Sequence, residues 1–237
     1  MNLLFLFLQQ NVSSISIPAE NAVEEVATAV KINFLELSLK GGWVMIPILL
    51  LSIIAVYIFI ERYFAIKKAA AEDATFMTEI RNFIVQGKID EARALCKTNT
   101  SPVALMIDKG ISRIGKPLAD VREAIENVGK LEVYKLEKGL PTVATVAGAA
   151  PMIGFLGTVL GMVRAFFDMA NAAGGNFSIT MLSNGIYTAM VTTVAGLIVG
   201  IIAYIAYNTL VVKVDKVVNK LELRATEFMD LLNEPTE

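Results

Sequence analysis

The chain has 237 residues, 55% of them hydrophobic, and a mean hydropathy of +0.58. A soluble domain of this length needs far fewer apolar residues for its core, so the composition predicts an integral membrane protein. The net charge of −2 argues against a nucleic-acid partner. There is no histidine, and Cys96 is the single cysteine, which removes the usual metal ligands and an internal disulfide. We expect no metal, no cofactor and no enzymatic reaction.

Residues 1–40 are predicted to be an N-terminal segment on the periplasmic face or in the membrane interface. Met1 to Leu8 is apolar but lacks the basic residues and the clear cleavage site of a signal peptide. From Pro18 to Lys40 the apolar residues recur at helical spacing, which predicts an amphipathic helix. Such a helix lies in the membrane interface or packs on a partner, and the sequence leaves both open.

The first transmembrane helix is predicted over 41–63. Trp43 to Ile60 is almost continuously apolar, and Trp43 and Tyr63 occupy the positions of interfacial aromatic residues. This helix has no stripe of small residues, which is typical of a helix that faces lipid. A polar, helical cytoplasmic domain is predicted over 64–138, where glycine and proline residues separate short helices.

Two further spans are predicted over 139–167 and 183–211, with a short periplasmic loop at 168–182 and a cytoplasmic C-terminal helix at 212–237. The fold class is therefore an all-α integral membrane protein with three transmembrane helices and a helical cytoplasmic domain. The second and third spans are expected to extend into the cytoplasm.

Small residues form a stripe on each of these two spans. They recur every three or four positions, so at about 100° per residue they share one helix face. Such stripes let helices approach closely inside lipid. The residues assigned to helix packing are Gly154, Gly157, Gly161, Gly196 and Gly200.

The basic residues predict the orientation. Fourteen of the 21 Lys and Arg residues lie from Arg62 to Lys138, four follow the third span, and the 168–182 loop has none. Cytoplasmic loops carry the excess of Lys and Arg. The large domain and the C-terminus are therefore predicted to be cytoplasmic, and the N-terminus periplasmic.

The segment APMIGFLGTVLGM, from Ala150 to Met162, resembles the signature of the MotA/TolQ/ExbB proton-channel family, and most closely that of its ExbB members. The third span, TAMVTTVAGLIVGIIAYIAYN from Thr188 to Asn208, resembles the last span of the same family. The resemblance covers roughly residues 41 to 225, including the order and the orientation of the spans.

The resemblance implies an inner-membrane subunit of a Gram-negative bacterium that converts the proton-motive force into motion. Family members form a homopentamer whose second and third spans surround a dimer of a single-span partner, ExbD or TolR. An aspartate of that partner carries the protons, and the motion passes to TonB or TolA for work at the outer membrane. The implied contacts are thus a second copy, an ExbD-like partner, a TonB-like protein and membrane lipid.

By the same resemblance Thr158 and Thr193 are pore-lining threonines of the proton pathway, and Pro151 is the proline of the second span. The same pathway is expected to include Pro151, Thr192, which adjoins Thr193, and Thr188, which stands where ExbB and TolQ proteins commonly carry a glutamate. From the residues alone, helix packing is the favoured role of Thr158 and Thr193, with each hydroxyl bonded to a carbonyl one turn back, and the family signature favours the pore.

Three classes of function remain open. The first is a motor subunit that serves a TonB system. Within this class, a TolQ-like subunit of a Tol-Pal system and another MotA-type stator are the alternatives. The second is a membrane enzyme, which would need paired carboxylates or a histidine near the interface. The third is a passive scaffold, which accounts for the small stripes but not for threonines meeting on two apolar helices.

Overall fold

The computed structural model describes residues 41–71, 75–171 and 179–233, and within these ranges the only regular secondary structure is helical. This confirms the all-α fold class. The helices in chain order are α1 (Met45–Ala70), α2 (Phe76–Val85), α3 (Ile89–Thr98), α4 (Pro102–Ile111), α5 (Leu118–Glu137), α6 (Leu140–Asn171) and α7 (Ile179–Asn233). The predicted N-terminal segment 1–40, and residues 172–178 of the predicted periplasmic loop, lie outside the described residues.

In the part of the chain that the structure describes, three helices are long and apolar enough to cross a membrane: α1, α6 and α7. Much of α1 is open to its surroundings, with Ile46, Leu49 and Ile53 each more than half exposed. Large apolar side chains on an exposed helix suit contact with lipid tails. The prediction of three transmembrane helices is therefore confirmed by length and composition.

Helix α7 is continuous over 55 residues, about 80 Å at the usual rise per residue. Its first half packs against α6 and α1, and its second half packs against the short helices α2, α4 and α5. We call α2 to α5 with the second half of α7 the helical bundle. Its core is made of large apolar side chains such as Ile80, Ile107, Ile125 and Phe228, each no more than 1% exposed.

A two-residue break separates α5 from α6. Gly139 has φ of +88°, a left-handed conformation that interrupts an α-helix and favours glycine. A Cβ at this position would lie 3.1 Å from the Ile58 side chain of α1. Arg62 of α1 donates a hydrogen bond to the Lys135 carbonyl at 3.0 Å, satisfying one of the last carbonyls of α5.

The end of α1 is also attached to α7. The Lys213 ammonium lies 4.8 Å from the centre of the Tyr63 ring, a cation–π contact. Seven residues further along both helices, the Lys220 ammonium donates to the Ala70 carbonyl at 3.1 Å. The equal spacing shows that α1 and α7 run parallel here, so the end of α1 joins the helical bundle.

Candidate functional site

The face shared by α6 and α7 is closed by glycines, and we call it the α6–α7 seam. A Cβ on Gly161 would lie 2.8 Å from the Ala189 Cβ, and a Cβ on Gly154 would lie 3.2 Å from the Gly196 Cα. The residue numbers rise on α6 as they fall on α7, so the two helices run antiparallel. Only residues without a side chain allow backbones to approach this closely.

Glycine is required most strictly where the opposing atom belongs to the backbone. A Cβ on Gly196 would lie 2.5 Å from the Ala150 carbonyl oxygen, and one on Gly154 would lie 2.8 Å from the Thr192 carbonyl oxygen. Gly157 faces the Thr192 side chain, which has some freedom to move. All of these contacts are within one chain, so the small stripes meet each other before any second copy is added.

Pro151 lies inside α6, half-buried, and has no N–H to donate to the Ala147 carbonyl one turn back. Gly200 of α7 covers this point. A Cβ on Gly200 would lie 2.5 Å from the Pro151 ring and 3.1 Å from the Ala147 oxygen. The proline and the glycine therefore form one contact across the seam.

Two threonines of α7 hydrogen-bond to one carbonyl of α6. The Thr193 hydroxyl donates to the Gly154 oxygen at 3.0 Å, and the Thr192 hydroxyl lies 3.3 Å from the same oxygen and 2.7 Å from the Ala189 oxygen. Thr192 is 2% exposed, whereas Thr193 is only half-buried. Thr193 therefore reaches the open edge of the seam, and Thr192 is enclosed by it.

Thr158 lies on α6, half-buried, and its hydroxyl donates to the Phe155 carbonyl of its own helix at 2.6 Å. It makes no hydrogen bond to Thr193 among the described residues. Thr188 is half-buried beside the buried Ala189. The structure thus brings Thr192 and Thr193 to Gly154, and leaves Thr158 and Thr188 outside that contact.

These hydroxyls have a restricted chemistry. The hydroxyls of Thr158 and Thr193 each donate their single hydrogen to a backbone carbonyl, so only the lone pairs of the hydroxyl oxygens remain, and these accept hydrogen bonds. The two helices have no Asp, Glu, Lys, Arg or His from Leu140 to Val163 or from Ile179 to Leu210. The seam offers acceptors for a donor brought by another molecule, and no group of its own that takes up and releases a proton.

Three other small residues of the predicted stripes, Ala165, Gly185 and Ala189, also close the seam. A Cβ on Gly185 would lie 2.6 Å from the Ala165 Cβ, and Ala189 faces Gly161. Their spacing of three and four residues from the assigned glycines was the available signal. The sequence could not predict that Thr192 rather than Thr193 is buried, because the two are neighbours on the same stripe.

Comparison with known proteins identifies the family to which the α6–α7 seam belongs. The family model described as the MotA/TolQ/ExbB proton channel family matches residues 98–223, which include α6 and most of α7. The chain belongs to the MotA/TolQ/ExbB proton channel family. The predicted resemblance is thereby confirmed.

Relatives bearing both ExbB and TolQ names match the chain. An ExbB homolog of Methanothermobacter thermautotrophicus is 32% identical over 52% of this chain and 43% of its own length. An ExbB-like biopolymer transport protein of Synechocystis is 29% identical over 73% of this chain and 68% of its own length. The Tol-Pal system protein TolQ of Haemophilus influenzae is 30% identical over 86% of this chain and 95% of its own length.

The chain spans less than half of the first of these relatives and nearly all of the third. Family membership and the three apolar helices make it a multi-pass protein of the inner membrane. Among the described residues no cluster of His, Cys, Asp and Glu has the arrangement of a metal site.

Proposed function

We propose that the chain is the channel and motor subunit of a proton-driven, TonB-type transport complex, and that it acts without chemistry of its own. A single-span, ExbD-like partner supplies the carboxyl that carries the proton. This proposal rests on the α6–α7 seam, where hydroxyl oxygens are available but no Asp, Glu, Lys, Arg or His is present. Such a seam serves a carrier brought from outside.

The hydrogen bonds set which form of the carrier the seam favours. Because Thr158 and Thr193 have already donated their hydrogens, their oxygens accept from the O–H of a neutral carboxyl. They have no hydrogen left for a carboxylate, and no Lys or Arg lies from Leu140 to Val163 of α6 or from Ile179 to Leu210 of α7 to neutralise one. A carboxyl that enters the seam therefore arrives protonated, and it releases the proton where water reaches it.

The energy for this movement comes from the membrane potential. Moving one proton across it supplies about 2.3 kcal/mol per 100 mV. The glycine contacts hold α6 and α7 together as one unit, and α7 continues without interruption into the helical bundle. A displacement of α7 at the seam therefore also moves the part of α7 that belongs to the helical bundle.

The proposed assembly is a homopentamer with α1 outermost and α6 and α7 around the partner dimer. Exposed apolar residues on α1 support its lipid-facing position. The proposed orientation has a periplasmic N-terminus and a cytoplasmic helical bundle in a Gram-negative inner membrane, and it rests on the distribution of Lys and Arg. The proposed boundaries of the spans are those predicted from the sequence.

A second candidate within the family is a subunit of a Tol-Pal system. The match that covers 95% of the Haemophilus influenzae TolQ favours this branch, whereas the first two relatives bear ExbB names. Purification of the chain with its native partner, followed by identification of that partner and of the protein on which it acts, separates the two branches.

The function is tested by reconstitution of the purified complex into liposomes. With the partner present, an imposed potential should drive proton uptake, and replacing the partner's membrane carboxyl by an amide should abolish it. The chain without its partner should conduct no protons. Absence of potential-driven uptake in the intact complex would leave the passive scaffold as the better description.

A further inference from the structure

An open groove of about 590 Å³ lies between α5 and the second half of α7. Its floor is apolar, with Ile125, Leu221 and Met229 buried. Its rim carries six charged residues, which are Arg122, Glu126, Lys130, Glu137, Glu222 and Asp230. An apolar floor between charged edges is the form of site that receives an amphipathic helix.

The groove continues toward the membrane. A second cavity, of about 200 Å³, lies between the start of α6 and α7 and is lined by Tyr207, Val211 and Asp215. Glu137 lines both cavities, which are therefore adjacent. From Tyr207 to Asp230 the combined α5–α7 groove follows α7 for about 35 Å.

The groove also follows the helix face that carries the proposed proton pathway. Thr193, Val211 and Met229 are separated by 18 residues each, which is five turns of an α-helix, so they lie on one side of α7. A molecule that sits beside Thr193 and leaves the membrane along this face enters the α5–α7 groove. The groove thus lies on the same side of α7 as Thr193.

The charge of the groove selects its occupant. Five carboxylates and two cations line the two cavities, a net charge of −3. None of these carboxylates forms an ion pair with another described residue. An unpaired negative rim attracts a positively charged partner and weakens as salt rises.

We propose that the α5–α7 groove binds the cytoplasmic flank of the single-span partner as a basic amphipathic helix. The proposal rests on the proposed function and orientation. A span's cytoplasmic flank is the side enriched in Lys and Arg, which provides the complementary charge. Apolar residues spaced three and four apart on that flank contact Ile125, Leu221 and Met229, and its basic residues lie against the rim.

The test uses the full complex in native membranes, with a photo-crosslinking amino acid in place of Tyr134. This residue lines the groove and is 70% exposed, so the probe fits without disturbing the core. The expected product joins the chain to a single-span protein, through a Lys- and Arg-rich peptide on the cytoplasmic side of its span. Raised salt should reduce the yield.

Charge reversal provides the matched comparison. Glu126→Lys with Glu222→Lys should lower the cross-link yield about tenfold, because both carboxylates lie on the rim. Glu123→Lys changes the charge of α5 equally, but Glu123 does not line the groove, so the yield should stay unchanged. The milder Glu126→Gln with Glu222→Gln should give an intermediate yield without introducing new charges.

The outcomes separate this proposal from the proposed function. A product between two copies of the chain, a product with lipid alone, or no product while the partner still co-purifies overturns the docking proposal and leaves the motor function standing. A complex from which no single-span protein co-purifies overturns both.

Discussion

The two halves of α7 are held in place by opposite means. In its first half, Gly196 and Gly200 bring the backbone against α6, and the contacts are between backbone atoms and small side chains. In its second half, Leu221 and Phe228 are at most 3% exposed in a core of large apolar side chains. Burying apolar surface does not stabilise helix contacts within lipid, so van der Waals contact between closely packed helices stabilises the first half. In water the burial of apolar surface stabilises the second half.

The bundle half should suffer most from loss of a large side chain. Phe228 is fully buried, and Phe228→Ala should destabilise the bundle by about 3–5 kcal/mol through lost burial and a residual cavity. Leu223→Ala on the same helix removes a residue that is 57% exposed and should have little effect. Thermal denaturation of both variants in detergent measures the difference, and equal losses would contradict the assigned core.

The membrane half should suffer instead from a gain of one methyl group. Gly196→Ala places a Cβ 2.5 Å from the Ala150 carbonyl, and should destabilise the seam by about 1–2 kcal/mol despite the better helix propensity of alanine. Gly148→Ala is the matched control on α6, since no atom lies within 4 Å of its added Cβ. Should both variants unfold at the same temperature, the seam is not closed by glycine.

A smaller effect is expected from the buried hydroxyl of the seam. Thr192→Val keeps the shape and removes the bonds to the Ala189 and Gly154 carbonyls. Hydrogen bonds between membrane helices contribute about 0.6 kcal/mol on average, so the loss should be of that size. Thr209→Val serves as control, because Thr209 is exposed and bonds only to its own helix. Comparison of unfolding temperatures checks this, and proton uptake should fall less than in the Thr193 variant.

Cys96 reports on the bundle half alone. Burial raises the pKa of its thiol to about 12, with Asp108 adding to the rise and Arg93 opposing it. Since the folded thiol holds its proton until pH approaches 12, bundle stability should fall as pH rises above about 9, where an unfolded thiol ionises. Alkylation should be slow at pH 8, faster in Phe228→Ala and unchanged in Gly196→Ala. Equal acceleration in both variants would mean that the two halves of α7 do not act separately.

Burial of Cys96 also affects a test of orientation. Protection of a buried thiol carries no information about the side of the membrane, so Ser112→Cys, which is exposed, is the better reporter. It should react with an impermeant reagent only after the cells are opened, whereas Gly175→Cys should react in intact cells. The reverse pattern would invert the proposed orientation.

The sequence predicted the fold because its signals are local. Long apolar runs marked the spans, and small residues at spacings of three and four marked the face that α6 and α7 share. The boundary between residues 138 and 139 was predicted, but the left-handed conformation of Gly139 was not, because a single glycine is compatible with a continuing helix until its conformation is known. The α5–α7 groove depends on how α5 lies along α7, which residues distant in sequence decide.

The candidate site was predicted less completely. Helical spacing placed Thr192 and Thr193 on one stripe, but neighbouring residues differ by about 100°, so only packing decides which one is enclosed. The hydrogen bond between Thr193 and Gly154 joins residues 39 apart in sequence. No periodicity within one helix reveals such a partner.

The most direct test of the central claim is proton uptake by the reconstituted complex in which Thr158 and Thr193 are both valine. We expect normal assembly and partner binding, because valine has the shape of threonine, but uptake lowered by about ten- to a hundredfold. Thr145→Val with Thr209→Val, which removes exposed hydroxyls bonded within α6 and α7, should conduct normally. Unchanged uptake in the Thr158 and Thr193 variant would reduce these threonines to helix packing and contradict the proposed pathway.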